Sequence, residues 1–229
     1  MRKINEKRNG ERTMKQLKKY IPLGIDLIIT FIAIIVYSCL KPERAPLTYV
    51  QILVGPMVLG AVLLLNHTRT IHIPTIISYL LMIHLVLALI LGSAFNFYDL
   101  IPAWDMILHG YFGFLCSVLV FCVLLNYNGE QLKGFFIFVL IFFVTMGVAG
   151  LWEIYEFTMD SLLGGDAQRV EESILAGHSP VYDTMMDMII AVVGIILFYL
   201  CMLLDKCRSY RLTRYLYKEI HMNKKDIGK

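Results

Sequence analysis

Charge is scarce in this sequence. Only 17% of its 229 residues are charged, 58% are hydrophobic, and the mean hydropathy is +0.65. A soluble domain of this length carries far more charge, so a water-soluble globular protein is disfavoured at the outset. Cysteine is sparse and unclustered: Cys39, Cys116, Cys122, Cys201 and Cys207 form no CxxC pair. Four of them lie in or at the edge of apolar runs. They read as packing residues, since a disulfide framework or a zinc ribbon needs closer clustering outside lipid. Enzyme signatures are also missing. There is no H-E-x-x-H helix, no G-x-S-x-G turn, no Glu-x-x-His, and no serine beside a base at useful spacing. Glu171-Glu172 lacks the following Arg of CAAX-type membrane proteases. No internal repeat and no low-complexity tract is visible. No small-residue cleavage site follows the first apolar run, which at about 20 residues exceeds a signal-peptide core and reads as a retained helix.

What is present is apolar length. Six blocks run approximately over residues 21–40, 47–65, 74–95, 102–125, 134–158 and 183–204. Each can cross a hydrocarbon core about 30 Å thick at 1.5 Å per residue. In lipid every backbone group must be satisfied within its own segment, so blocks of this length predict helices. The expectation is an all-α polytopic membrane protein with six transmembrane helices. A basic N-terminal segment covers 1–20, the membrane domain 21–204, a polar loop 159–182, and a basic tail 205–229. The sequence pI near 8.5 does not point to nucleic acid, because the basic residues sit outside the apolar blocks, where they orient spans.

Lysine and arginine counts give the orientation. Eight precede Ile21 and eight follow Leu204. Six spans put both ends on one side, and the positive-inside bias makes that side the cytoplasm. Arg69 and Lys133 fall on the same side, leaving Lys41, Arg44 and Arg169 outside, 18 against 3. The expected setting is the bacterial cytoplasmic membrane. The tail's basic density also suits anionic lipid headgroups of the inner leaflet.

Charges inside spans are costly and mark function by default. Asp105 and His109 open the fourth block, Glu153 and Glu156 close the fifth with Asp160 just beyond, and Asp183 and Asp187 open the sixth. Spacings of three and four put each set on one helix face. In the six-span topology all three sets fall at the outer ends of their helices, beneath the 159–182 loop. Five carboxylates cannot all stay ionised and unpaired at low dielectric. Three readings stay open. A divalent cation held by Asp105, His109, Glu153, Glu156, Asp183 and Asp187 would suit magnesium, manganese, calcium, iron or zinc. A protonated network would serve ion or proton coupling. A hydrogen-bonded cluster would be structural. Under the metal reading His109, Glu153 and Asp187 are the catalytic candidates, with metal-bound water as nucleophile and a carboxylate or His109 as base. Trp104, Asp160, Gln168 and Arg169 border the cluster as candidate substrate contacts, Arg169 also offsetting a charge. Trp104 and Trp152 equally fit an outer aromatic belt. His84 is expected to hydrogen-bond across helices, His67, His72 and His178 are unassigned loop residues, and Asp26 is expected to reach interfacial water.

The segments WDMILHGYFGF, LWEIYEFTMDSLLGGDAQ and VYDTMMDMIIAVVG together resemble the YjdF-like family of bacterial membrane proteins and, more distantly, VanZ-like proteins. The resemblance covers roughly residues 104–194. It implies the fold and the position of the site, and it points to Asp105, His109, Glu153, Glu156, Asp160, Gln168, Asp183 and Asp187. Gly177-His178-Ser179-Pro180 stands here where many YjdF-like members have Gln-Gly-Asp. The VanZ-like kinship implies, by analogy, a link to the cell envelope. The leading function is an envelope-associated enzyme or binder of a lipid-linked substrate. The alternatives are a proton-coupled small-molecule transporter, to which a homo-oligomer would restore symmetry, and a non-catalytic scaffold.

Overall fold

A computed structural model of the chain describes residues 2–40, 45–68 and 71–226. Lys41, Arg44, Arg69 and Lys229, counted above for orientation, lie outside the described residues. The secondary structure among the described residues is entirely helical. Six helices are long and apolar enough to cross a membrane, so the protein is an all-α, multi-pass membrane protein. It divides into two compact units, one built on the residues up to Leu100 and one on Ile101–Lys225. Each supplies three spans.

The first unit contains α1 (Arg2–Leu40), α2 (Pro46–Thr68), α3 (Thr75–Leu85) and α4 (Phe97–Leu100). Helix α1 starts nineteen residues before the expected span, because Lys, Arg, Glu, Gln, Met and Leu are good helix formers and outnumber the weak ones, Asn5, Asn9, Gly10 and Thr13. Helix α3 continues without a break into a π-helical stretch, Val86–Ala94. There Gly92 lies against the Tyr98 ring, where a Cβ would meet Cε2 at 2.5 Å. Ala33, Tyr37, Ile52, Ile90 and Ala94 form the buried core, with Tyr37 edge-on to Tyr49 at 5.3 Å. Asp26 corrects one expectation: it is 1% exposed and does not reach interfacial water, because its face of α1 packs on Gly55 of α2.

The second unit contains α5 (Trp104–Asn126), α6 (Gly134–Leu163), α7 (Val170–Leu175), α8 (Tyr182–Cys207) and α9 (Arg211–Asp226). Helices α5 and α8 run in parallel at backbone contact. A Cβ on Gly113 would collide with the Ala191 carbonyl oxygen, and one on Gly194 with that of Gly110. Small residues allow such approach where no hydrophobic force drives helices together. Helix α6 joins them through Ser117 on α5 and Thr145, both fully buried, with their hydroxyls 3.4 Å apart. Its outer face, with Phe135, Phe143, Leu151 and Phe157, is exposed, as a lipid-facing surface must be.

Three boundaries differ from expectation. Helix α6 runs five residues past 158, until Gly164 takes a left-handed conformation at φ 70° and its amide closes on the Asp160 carbonyl. The 159–182 loop holds a short helix, α7. The basic tail folds as α9, because the Asp205 carboxylate accepts the amides of Leu212 (2.7 Å) and Thr213 (2.9 Å), two of the orphan donors of its first turn.

Candidate metal centre

The site belongs to the second unit and follows from the α5/α8 register. Gly113 faces Ala191, and stepping one turn back on each parallel helix leads to His109 and Asp187. The two side chains meet: His109 Nε2 is 3.6 Å from Asp187 Oδ2 and 3.5 Å from Asp105 Oδ1. His109 is 9% exposed and Asp187 2%. One ligand atom from each of Asp105, His109 and Asp187 lies within 4.8 Å of the others.

These separations are too long for strong hydrogen bonds, which run to about 3.2 Å. They are close to the spacing of ligands around an ion. Donor atoms about 2.0–2.1 Å from a tetrahedral zinc stand about 3.3–3.4 Å from one another. The donor set, one imidazole nitrogen and two carboxylate oxygens, suits zinc, iron or manganese better than calcium, which takes oxygen alone. Asp187 Oδ2 is buried and has no hydrogen-bond partner, and the same holds for Asp183 Oδ2 and Glu153 Oε2. Buried oxygens left in this state are unusual in a native fold and are accounted for by an ion, a proton or a water.

Not all the expected residues converge on the triad. Glu153 is buried on α6 and lies in the electrostatic field of His109 and Asp105. Glu156 lies in the field of His109 but accepts the Trp152 indole N–H at 2.8 Å. Asp183 stands one turn nearer the start of α8 than Asp187, in the field of Asp105 and Arg169. Arg169 itself pairs with Glu172 at 3.1 Å. The Asp160 carboxylate accepts the backbone amides of Ala167 (2.7 Å) and Gln168 (3.0 Å), clasping the loop after Gly164. Gln168 donates to the Thr184 hydroxyl at 3.1 Å, tying that loop to α8. Trp104 is half-buried in the first turn of α5.

Two contributors were not singled out from sequence. Thr184 is the α8 anchor for Gln168. Asp166 accepts the amides of Val170 (2.7 Å) and Glu171 (3.2 Å) and so starts α7. The run Asp-x-x-x-Val-Glu-Glu carries that capping signal in outline. His178 stacks on Tyr182 at 4.1 Å and takes no part in the triad.

The chain belongs to the family described as "Predicted membrane protein (DUF2238)", whose model matches residues 24–209. No curated protein matches the sequence, and no solved structure matches it.

Proposed function

For a membrane protein of this family, we propose that Asp105, His109 and Asp187 hold a divalent cation, and that the protein acts as an envelope-associated enzyme or binder on a lipid-linked substrate. The observation that carries this reading is the spacing of the three ligand atoms, with Nε2 of the buried His109 at 3.5 and 3.6 Å from two carboxylates on different helices. Held by Asp105, His109 and Asp187, zinc or a similar ion would supply a water nucleophile near neutral pH. Glu153, buried with an unpartnered Oε2, is the candidate base for that water, and Glu156 and Asp183 complete a carboxyl-lined wall. Trp104, Gln168 and Arg169 are the candidate substrate contacts in this reading. Asp160 acts by shaping the loop that carries Gln168.

The finer setting is part of the same proposal. The chain is YjdF-like, with a distant VanZ-like kinship, and resides in the bacterial cytoplasmic membrane with both termini in the cytoplasm. The centre then opens at the outer surface, where envelope precursors carry their polar headgroups. The test is metal retention. The detergent-purified protein is loaded with zinc, manganese or magnesium in turn, stripped of excess, and measured by elemental analysis. The wild type is expected to retain one of these ions stoichiometrically, and His109→Ala and Asp187→Asn to lose it. Equal retention in the folded variants, or none in the wild type, overturns the reading.

A further inference from the structure

The first unit contains a buried polar pair that the metal centre does not use. Asp26 and Thr30 are 1% and 4% exposed and stand four residues apart, one above the other on a face of α1. Asp26 Oδ2 and Thr30 Oγ1 are both fully enclosed, and neither has a hydrogen-bond partner. The carboxylate lies directly on α2 at Gly55, where a Cβ would stand 3.2 Å from Oδ2. The next residue is Pro56, inside the same helix. Proline has no amide N–H, so the carbonyl of Ile52, a residue with no exposed surface, loses its helical donor.

The pair has no cation of the chain to set against the carboxylate in the helices packed on α1. Helices α2 and α3 and the π-helical stretch contain no Lys, Arg, Asp or Glu. Their titratable groups are Tyr49, His67, Tyr79 and His84. On α1 itself the described ones are Lys18, Lys19, Tyr20, Tyr37 and Cys39, and the two lysines lie about two turns towards the N-terminus. An isolated ionised carboxylate at membrane depth is expensive and needs a neutralising partner. All the unsatisfied atoms are oxygens, a hard donor set that suits a small hard cation.

We propose that Asp26 and Thr30 form a univalent-cation site in the first unit, which takes up and releases one proton or one sodium ion. The site is separate from the metal centre in sequence and in ligand chemistry, and it holds or fails independently of it.

Dicyclohexylcarbodiimide modifies protonated carboxyl groups in apolar surroundings and tests this directly. The full-length protein in detergent is treated in mildly acidic and in mildly alkaline buffer, each with sodium or choline chloride, and adducts are mapped by peptide mass spectrometry. Asp26 is expected to be modified in acidic choline buffer. A several-fold fall on going to alkaline choline buffer identifies the proton as ligand. A several-fold fall on adding sodium at acidic pH identifies sodium, and Thr30→Val is expected to remove that protection. Asp26 left unmodified throughout, or modified equally in all four buffers, overturns the site. The same pattern is expected in His109→Ala, so the outcome does not depend on the metal centre.

Discussion

At the scale of the residue, Asp183 and Asp187 show how far spacing carries. Both open α8, four residues apart, and by sequence alone either can partner His109. Depth separates them. His109 lies four residues before Gly113, and Asp187 four before Ala191, so contact between Gly113 and Ala191 sets His109 level with Asp187. Asp183 falls one turn nearer the start of α8, in the field of Arg169. Asp187→Asn is therefore expected to abolish metal retention, while Asp183→Asn weakens it by a smaller factor. Titration of both variants with the retained metal checks this, and equal loss would give Asp183 a ligand's place. The Asp105/His109 pair was legible because i, i+4 spacing suffices within one helix. Asp160 illustrates the opposite. Its place beside the acidic cluster suggests substrate contact, but both its oxygens accept backbone amides of the loop after Gly164, a fold-back that no periodicity encodes. Asp26 was misread because distance from the end of an apolar block says nothing of the neighbouring helix, and Gly55 is what encloses it.

At the scale of the element, α5 and α8 are held by absence of side chain. A methyl group on Gly194 would meet backbone atoms of Gly110 and Phe114, which cannot swing aside as a flexible side chain can. Gly194→Ala is expected to cost about 1–3 kcal/mol through overpacking, read as a lowered thermal midpoint in detergent. It is also expected to weaken metal retention, since it shifts the helix that carries Asp187. Helix α9 depends on one carboxylate. Asp205→Ala removes the acceptor for Leu212 and Thr213 and is expected to destabilise the first turn of α9 by about 1 kcal/mol, as loss of a cap does. Hydrogen exchange at those two amides should accelerate, while the spans keep their protection. Apolar length made the spans visible. Helices α7 and α9 and the π-helical stretch were not, because a short polar helix, a basic amphipathic tail and a change of helical pitch leave little trace in hydropathy.

At the scale of the whole molecule, six apolar blocks announced six spans, and six are found among the described residues. The division into two units at Leu100 and Ile101 was not announced. The intervening residues, Phe95 to Pro102, are no more polar than the connections within each unit, so the boundary is one of packing. The basic ends predict cytoplasmic termini. A green fluorescent protein fused to the C-terminus should fluoresce, and an alkaline phosphatase fused there should be inactive. The reverse result would turn the metal centre towards the cytoplasm and remove the envelope from the proposed function.

The measurement that bears most directly on the centre is X-ray absorption at the edge of the metal retained by the wild-type protein. The expected shell is nitrogen and oxygen at about 2.0–2.1 Å, with the multiple scattering of a single imidazole, and that imidazole signature should vanish in His109→Ala. A sulfur shell would assign the ion to cysteine instead. An oxygen-only shell in the wild type would take His109 out of the coordination sphere and contradict the assignment of Asp105, His109 and Asp187 as its ligands.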